Sequence, residues 1–209
     1  MRVQPARVVG AALLLGACMQ ANAFTVGNST PTSVYFVQGQ SFTPAVSGNA
    51  GSGTPKPDSS GNAQLSSVHI AFATGQTPSS TLYIYSTLPT NGDAATGIGS
   101  IASAPDSGGG NYVFNPPVPV PYSTQTYAVL PGCASIYDAP DSYAGGTDLY
   151  PVGCPAPGAN PIIQGTYDIG FTATFVDPPQ PAPMMNWTGV GLLVFLLAGL
   201  ALVTRRRAA

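Results

Sequence analysis

The sequence predicts an all-β protein whose main part is a single antiparallel β-sandwich of jelly-roll-like form, spanning residues 24–176. Three observations support this fold class. Helix-favouring residues are scarce, since glutamate is absent while 25 glycines and 22 prolines supply turns. Several short segments combine β-branched and aromatic residues, which favour strands. Both chain ends are apolar and carry arginines, so we assign them to a signal peptide and a transmembrane helix that flank the sandwich.

Residues 1–23 have the three parts of a secretory signal peptide. A basic start with two arginines, an apolar stretch and the small-residue site Ala-Asn-Ala precede the predicted cut before Phe24. An alternative remains open, because the stretch "LGAC" that ends at Cys18 resembles the lipobox of bacterial lipoproteins, in which the cysteine is lipidated. Both interpretations predict an exported protein.

Six segments after the signal peptide are predicted to form strands. They are residues 33–38, 65–74, 80–87, 110–117, 124–132 and 165–176. In the second segment Val68, Ile70 and Phe72 occupy every other position, which is the period of a strand buried on one face. In the third segment the same alternation places Tyr85 on the face opposite Leu82. Six or more short strands separated by turn residues favour a sandwich or jelly roll.

Three further segments are predicted to lack regular structure. Residues 46–64 and 104–111 are rich in Gly, Ser, Pro and Asn and show no apolar period, so we expect surface loops there. Residues 177–186 include the proline-rich stretch "DPPQPAP", which predicts an extended linker. This linker marks the end of the sandwich domain.

The C-terminal segment predicts a membrane anchor. Residues 187–204 are 18 consecutive uncharged residues, close to the roughly 20 that a membrane-spanning helix requires. The basic tail 205–209 opens with Arg205, Arg206 and Arg207, which the positive-inside rule retains in the cytoplasm. The sandwich is therefore expected outside the cell, attached to the membrane by this helix.

The exported part is strongly acidic. Residues 24–183 contain one lysine and eight aspartates, a net charge of −7. Nucleic-acid binding requires clustered Lys and Arg to neutralise phosphates, and this segment has no such cluster. The charge pattern excludes nucleic acid as a partner.

The cysteines are consistent with an oxidising compartment. Once Cys18 is removed or lipidated, Cys133 and Cys154 form an even pair in an exported protein, so we predict a disulfide between them. In the chain-entropy model, closing a loop of about 20 residues contributes about 3 kcal/mol. A zinc site is disfavoured, because no histidine lies near the two cysteines.

The order of the segments resembles a group of bacterial surface domains. The succession "GQSFTP", "LSSVHIAF", "TLYIYS", "NYVFNPPVPVPYSTQTYAVL", "YAGG" and "YDIGFTATFV" is similar to the exported β-sandwich domains of the choice-of-anchor group. The resemblance covers about residues 33–176. It implies a β-sandwich displayed outside the cell by one of several anchoring signals.

The tail has a resemblance of its own. A proline and a tryptophan before an apolar helix and an arginine cluster resemble the sorting signals read by exosortases, in the class typified by "IPTLSEW". In the stretch "APMMNW" Pro183 and Trp187 match, while Met184 and Met185 replace the Thr-Leu pair. The resemblance implies an exosortase-type enzyme as partner, cleavage within 183–186 and transfer to the cell surface or extracellular matrix. A plain membrane anchor is the alternative.

Catalytic signatures are lacking in the sequence. His69 is the only histidine, so a Ser-His-Asp triad would have to use it, and no "GxSxG" nucleophile elbow occurs. We interpret His69 as a surface residue of a strand. Glycosidases use two opposed carboxylates, and nothing in the spacing of the eight aspartates selects a pair. We therefore predict that the protein is not an enzyme.

Two groups of side chains are candidates for ligand binding. Asp138, Asp141 and Asp148 are oxygen ligands of the type that Ca²⁺ takes, although solvated turn residues are the favoured interpretation and no cofactor is predicted. A second group of residues could form an aromatic platform for a sugar ring, although packing is again favoured. This group consists of Tyr137, Tyr143 and Tyr150.

These observations leave three hypotheses about function. The favoured one is a non-enzymatic exported surface or extracellular-matrix protein that is delivered and anchored by its C-terminal signal. The alternative is a carbohydrate-binding module tethered at the cell surface, with polysaccharide as partner. The third is a surface hydrolase that uses aspartates.

Overall fold

The computed structural model of the protein describes residues 22–28, 33–140, 143–151 and 161–178, except for the side chains of residues 138–140. These residues form eleven strands and one short helix. The elements are β1 (Ala23–Asn28), β2 (Ser33–Phe42), β3 (Asn62–Ile70), β4 (Thr81–Tyr85), α1 (Asn91–Thr96), β5 (Ala102–Pro105), β6 (Asn111–Pro121), β7 (Thr126–Pro140), β8 (Asp148–Pro151), β9 (Ile162–Gln164), β10 (Tyr167–Ile169) and β11 (Phe171–Val176).

The strands form two antiparallel sheets. The smaller sheet has the order β1-β11-β3-β6, and the larger has the order β5-β4-β7-β2-β8-β9, with β10 also paired to β7. Neighbouring strands are mostly distant in sequence, so the chain passes repeatedly between the sheets. The all-β prediction is confirmed, and the two sheets are consistent with a β-sandwich.

The two sheets share one hydrophobic core. Val68 and Ile70 of β3 are buried, as the alternation predicts, and Phe72 packs against the core from just beyond the strand. Phe42 of the larger sheet contacts Phe171 of the smaller sheet, with ring centroids 6.2 Å apart. Each fully buried aromatic side chain of this kind contributes about 1.5 to 3 kcal/mol.

All six predicted segments contain a strand, but the observed strands are more numerous. The sequence failed to predict β1, β5, β8 and β9. Each of these four is short, with six residues or fewer. Strands of this length form because a neighbouring strand supplies hydrogen bonds, and the local pattern does not reveal that neighbour.

Helix α1 was also not predicted, and it changes the environment of Tyr85. The helix is short but capped at both ends: the Thr90 hydroxyl accepts from the Asp93 amide at 3.2 Å, and Gly97 takes the left-handed conformation with φ of 76°. Ala94 of α1 and Tyr85 belong to a second apolar cluster, separate from the core between the sheets. The prediction that β4 buries only one face is therefore wrong at Tyr85.

Stability at alkaline pH should depend on Tyr85. Desolvation, followed by the negative charge of Asp93 and by Tyr83, raises the pKa of the Tyr85 phenol to about 12, against about 10 in an unfolded chain. A raised pKa contributes stability that is fully present below pH 10 and is lost as the pH rises towards 12. Urea unfolding between pH 9 and pH 11.5 should therefore show falling stability, with a shallower fall in Tyr85→Phe. Equal slopes for both proteins would contradict this assignment.

The predicted loop at residues 46–64 is not a free surface connection. The Gly27 amide donates to the Ser47 carbonyl at 2.9 Å, and the Ser52 amide donates to the Thr25 carbonyl at 3.0 Å. These bonds cover the edge of β1 that does not face β11, so the loop protects an otherwise open sheet edge. Regular structure resumes at Asn62, the first residue of β3.

The opposite edge of the smaller sheet is protected by composition. Strand β6 pairs with β3 on one side and carries Pro116, Pro117, Pro119 and Pro121. Proline has no amide hydrogen to donate, so this part of β6 is a poor template for a further strand.

The two predicted terminal segments fall outside the described residues. Both sheets belong to one compact unit that ends at Asp177, before the predicted linker and anchor. Within the described residues, no helix has the length and apolar character needed to cross a membrane. The signal peptide and the transmembrane helix therefore stay predictions.

Candidate functional site

The chain crosses the larger sheet between β9 and β10, and this crossing builds the candidate site. Residues 165–170, which we call the crossing segment, follow β9 at one edge of the sheet and include β10, which pairs with β7, the strand on the far side of β2. Gln40 of β2 and Asp148 of β8 are register partners, so both side chains lie on one face. Asp148 Oδ1 accepts from the Tyr167 amide at 3.2 Å, and Gln40 Oε1 accepts from the Ile169 amide at 3.0 Å.

A buried polar network holds the crossing segment in place. Asp168 is 0% exposed and accepts from Gln40 Nε2 at 2.8 Å and from the Tyr143 amide at 2.7 Å. The Tyr143 hydroxyl donates to the Thr43 carbonyl at 2.8 Å and accepts from the Thr43 amide at 3.0 Å. Buried polar groups with satisfied hydrogen bonds fix a single geometry, so this network gives the crossing segment a rigid base.

Beside the crossing segment lies a cavity of about 450 Å³, which we call the aromatic groove. Its lining includes Tyr35, Phe36, Asp148, Tyr150, Gln164 and Tyr167. The volume falls within the range of small-ligand sites. The groove is thus formed by the first half of β2, by β8, and by the start of the crossing segment.

Three tyrosines of the groove are exposed rather than packed. Tyr35 is 57% exposed, Tyr167 is 47% exposed and Tyr150 is 37% exposed. The rings of Tyr35 and Tyr167 stack on each other, with centroids 6.3 Å apart and planes 23° apart. Within the described part of the chain, none of the three hydroxyls makes a hydrogen bond. The groove therefore presents aromatic surface together with hydroxyl groups that are open to a ligand.

Gly165 is required by the close approach of the crossing segment to β8. Its amide donates to the Asp148 carbonyl at 3.0 Å, and a Cβ atom at this position would collide with the Asp148 carboxylate. Asp148 itself is 5% exposed and supports the floor of the groove through the Tyr167 amide. A glycine at this position lets the backbone pass close to the carboxylate.

The predicted tyrosine platform is not assembled. Tyr150 lines the groove, but Tyr143 is fully buried, with its ring edge-on to Phe171 at 5.3 Å. Burial is the main cause that raises the pKa of the Tyr143 phenol above its usual value. Tyr137 is engaged elsewhere, since its hydroxyl lies 2.8 Å from the Thr74 hydroxyl, and hydrogen bonds from Thr74 lower its pKa. Tyr143 is therefore a core residue and cannot take part in a surface platform.

The predicted calcium ligands can be described only in part. Asp148 lies on β8, whereas Asp141 and the side chain of Asp138 are outside the described residues. Among the side chains that are described, no three His, Cys, Asp or Glu residues converge to hold a metal ion. The calcium interpretation stays a prediction.

Other predicted residues occupy strand positions or lie outside the described ranges. His69 is a half-buried residue of β3, paired with Asn111 and Thr172 on its two sides. Cys133 lies on β7, and Cys154 is outside the described residues, so the disulfide stays a prediction. The sorting-signal residues are also outside them, namely Pro183, Trp187, Arg205, Arg206 and Arg207.

Comparisons with known proteins return no relative: no family model, curated protein or solved structure matches the chain.

Sequence reasoning missed Tyr35, Phe36 and Tyr167 as groove residues. The stretch "SVYFVQ" was predicted to be a strand. Its three consecutive large apolar residues, Val34, Tyr35 and Phe36, could have indicated an exposed apolar surface. An alternating strand buries every second residue, whereas all three of these are exposed. Tyr167 had no local signal, because its position depends on the crossing segment.

Proposed function

We propose that the protein is a non-enzymatic exported protein of the cell surface or extracellular matrix, delivered and anchored through its C-terminal segment. The observation that carries this proposal is the position of the domain's ends. Ala23 and Val176 are register partners at one end of the smaller sheet. Next to them the Asp177 amide donates to the Asn22 carbonyl at 3.1 Å. Both terminal segments therefore join the sandwich at the same end.

This arrangement is compatible with removal of a signal peptide. A cut before Phe24 would take only Ala23 from β1, and Phe24 would keep its partner Phe175 on β11. The new amino terminus would lie at the end of an ordered strand. The lipoprotein alternative at Cys18 would add a short spacer at the same end and would also leave the sheets intact.

The arrangement is equally compatible with C-terminal processing by an exosortase-type enzyme. The sheet ends at Val176, and the last described hydrogen bonds of this region involve Asp177. The predicted cleavage region 183–186 follows several residues later and begins at Pro183, the last residue of the proline-rich stretch. Cleavage there would release or transfer a complete sandwich, whereas an uncleaved tail would keep it at the membrane.

Two of the described aspartates, Asp58 and Asp106, have the hydrogen bonds of structural turn residues. Asp58 accepts from the amides of Ser60 and Asn62, and these bonds help to lower its pKa. Asp106 accepts from the amides of Gly108 and Gly110 in a turn. Each carboxylate is occupied by backbone donors close to it in sequence, as expected of turn residues.

The jelly-roll-like form and the relation to the choice-of-anchor group belong to the same proposal. Strand β1 lies beside β11, and β2 lies beside β7, so in both sheets a strand from the start of the chain pairs with a strand from much later in the chain. Such non-sequential neighbours are typical of Greek-key and jelly-roll arrangements.

A carbohydrate-binding module tethered at the cell surface is the second candidate. The aromatic groove favours it, because exposed tyrosine rings offer an apolar face and a hydroxyl to the same ligand. The two candidates are compatible, since a surface protein can also bind a glycan.

Intact mass of the protein from membrane, cell-surface and medium fractions of its native host tests the proposal. We expect species that begin at Phe24, or at a lipidated Cys18, and that carry the complete sandwich. Loss of everything after 183–186 would identify a cleaved sorting signal, and a chain ending at Ala209 in the membrane would identify a permanent anchor. A protein that keeps Met1 and stays in the cytoplasm would refute export.

A further inference from the structure

We infer that the aromatic groove is a binding site for a neutral polysaccharide, with the rings of Tyr35 and Tyr167 as the stacking surface. This inference rests on the carbohydrate-binding candidate and assigns it a site and a class of ligand. It does not depend on how the protein is anchored.

The aromatic surface of the groove is held by the fold and needs no ligand to form. Tyr35 lies on β2 opposite Ile136 of β7, and Tyr150 lies on β8 opposite Ile163 of β9. The amide of Tyr167 is fixed by Asp148, and the next residue is part of the buried network. A binding surface that is ordered in advance loses less entropy when a ligand binds.

The chemistry of the groove matches that of a sugar. A pyranose ring has an apolar face of C–H groups and a rim of hydroxyls. Tyrosine offers the complementary pair, an aromatic face and a phenol that both donates and accepts hydrogen bonds. Gln164 and Thr166, both exposed, add amide and hydroxyl groups to the same lining. Because Gln164 Nε2 donates to Gln125 Oε1 at 2.9 Å, the Gln164 carbonyl oxygen and the Thr166 hydroxyl are the groups that a sugar hydroxyl would contact.

The charge of the domain selects a neutral glycan over an acidic one. Lys56 is the single cation among residues 24–183, and it does not line the groove. The lining contains the carboxylate of Asp148 instead. Uronate, sulfate and phosphate groups would therefore find no lysine or arginine in the lining to pair with.

The groove lies away from the end at which the chain leaves the domain. Tyr167 precedes β11, which begins at Phe171, whereas the chain leaves the sheet after Val176. The six residues of β11 span about 20 Å at roughly 3.3 Å per residue. The groove therefore lies near the start of β11, at the opposite end of this strand from the point where the chain leaves the sheet.

The test uses the full chain, solubilised in a detergent without a sugar headgroup and applied to an array of neutral and acidic glycans. We expect binding to neutral hexose polymers and none to polyuronates or sulfated glycans. Titration calorimetry with the best neutral glycan should show at least about tenfold weaker affinity for Tyr35→Ala and for Tyr167→Ala. Tyr35→Phe, which keeps the ring, should lose less than about threefold. Ile98→Ala removes a side chain that is 65% exposed outside the groove and should bind like the parent protein.

Several outcomes would overturn the inference. Absence of binding to every neutral glycan would remove both the site and the carbohydrate-binding candidate, while the proposal of an exported surface protein would stand. Binding that survives Tyr35→Ala and Tyr167→Ala would remove the site alone. Preference for acidic glycans would contradict the charge argument. Self-association of the chain that Tyr35→Ala abolishes would identify a second copy as the occupant instead.

Discussion

Replacing Asp168 by alanine should lower the free energy of unfolding by about 3 to 5 kcal/mol. The carboxylate is fully buried and accepts hydrogen bonds from Gln40 Nε2 and from the Tyr143 amide. A hydrogen bond to a charged group contributes roughly 1.5 to 3 kcal/mol, and the substitution leaves two buried donors without an acceptor. Urea unfolding followed by circular dichroism measures the loss.

Asp106→Ala is the matched control for this prediction. Asp106 also accepts from two donors, the amides of Gly108 and Gly110, but it lies in a half-exposed turn. Water can accept hydrogen bonds from these two amides in the variant, so the free energy of unfolding should fall by only about 1 kcal/mol. Asp168→Asn keeps one acceptor oxygen and should fall between the two. Similar losses for Asp168→Ala and Asp106→Ala would mean that the buried network does not stabilise the crossing segment.

Tyr143→Ala should destabilise the protein by about 3 to 5 kcal/mol, whereas Tyr150→Ala should cost about 1 kcal/mol or less. Tyr143 is 0% exposed, packs edge-on against Phe171 and forms two hydrogen bonds with Thr43 through its hydroxyl. Tyr150 is 37% exposed, so truncation removes much less buried surface. Thermal and urea unfolding of the two variants provide the comparison.

Tyr143→Phe separates the contribution of the ring from that of the hydroxyl. It keeps the contact with Phe171 and leaves the Thr43 amide without an acceptor, so we expect a loss of about 1 to 3 kcal/mol. A Tyr143→Ala protein as stable as the parent would show that this ring is not part of the core. Loss of glycan binding in Tyr143→Ala would reflect unfolding and would not identify a binding residue.

The local alternation of apolar residues was sufficient to predict the central strands. Val68 and Ile70, which are two positions apart, are both buried, because a strand that lies on a core buries every second side chain. The same rule failed for β4, where Tyr85 is buried on the opposite face by α1. It failed in the other direction at Tyr35 and Phe36, which are both exposed. Whether another element covers a strand face, as α1 covers Tyr85, or leaves it exposed, as at Tyr35 and Phe36, is not contained in the local sequence.

The candidate site was only partly accessible to sequence reasoning. Tyr150 was selected for its chemistry and lies in the groove, whereas Tyr143, selected on the same grounds, lies in the core. Both are tyrosines in a glycine-rich stretch, and their spacing gives no means of separating them. Their environments differ because Tyr143 meets Phe171 and Asp168, which follow about 25 residues later in the chain.

The sequence by itself determined the all-β class, the positions of the central strands, and the acidity of the part between the chain ends. These properties depend on residue type and short-range period, which any stretch of the chain carries without reference to the rest. Only the tertiary structure decided the crossing segment, the buried network of Gln40, Asp168 and Tyr143, and the stacked pair of Tyr35 and Tyr167. Tyr35 and Tyr167 are more than 130 residues apart in the chain. Contacts over such separations depend on the order and pairing of all the strands between them, and no local pattern encodes that order.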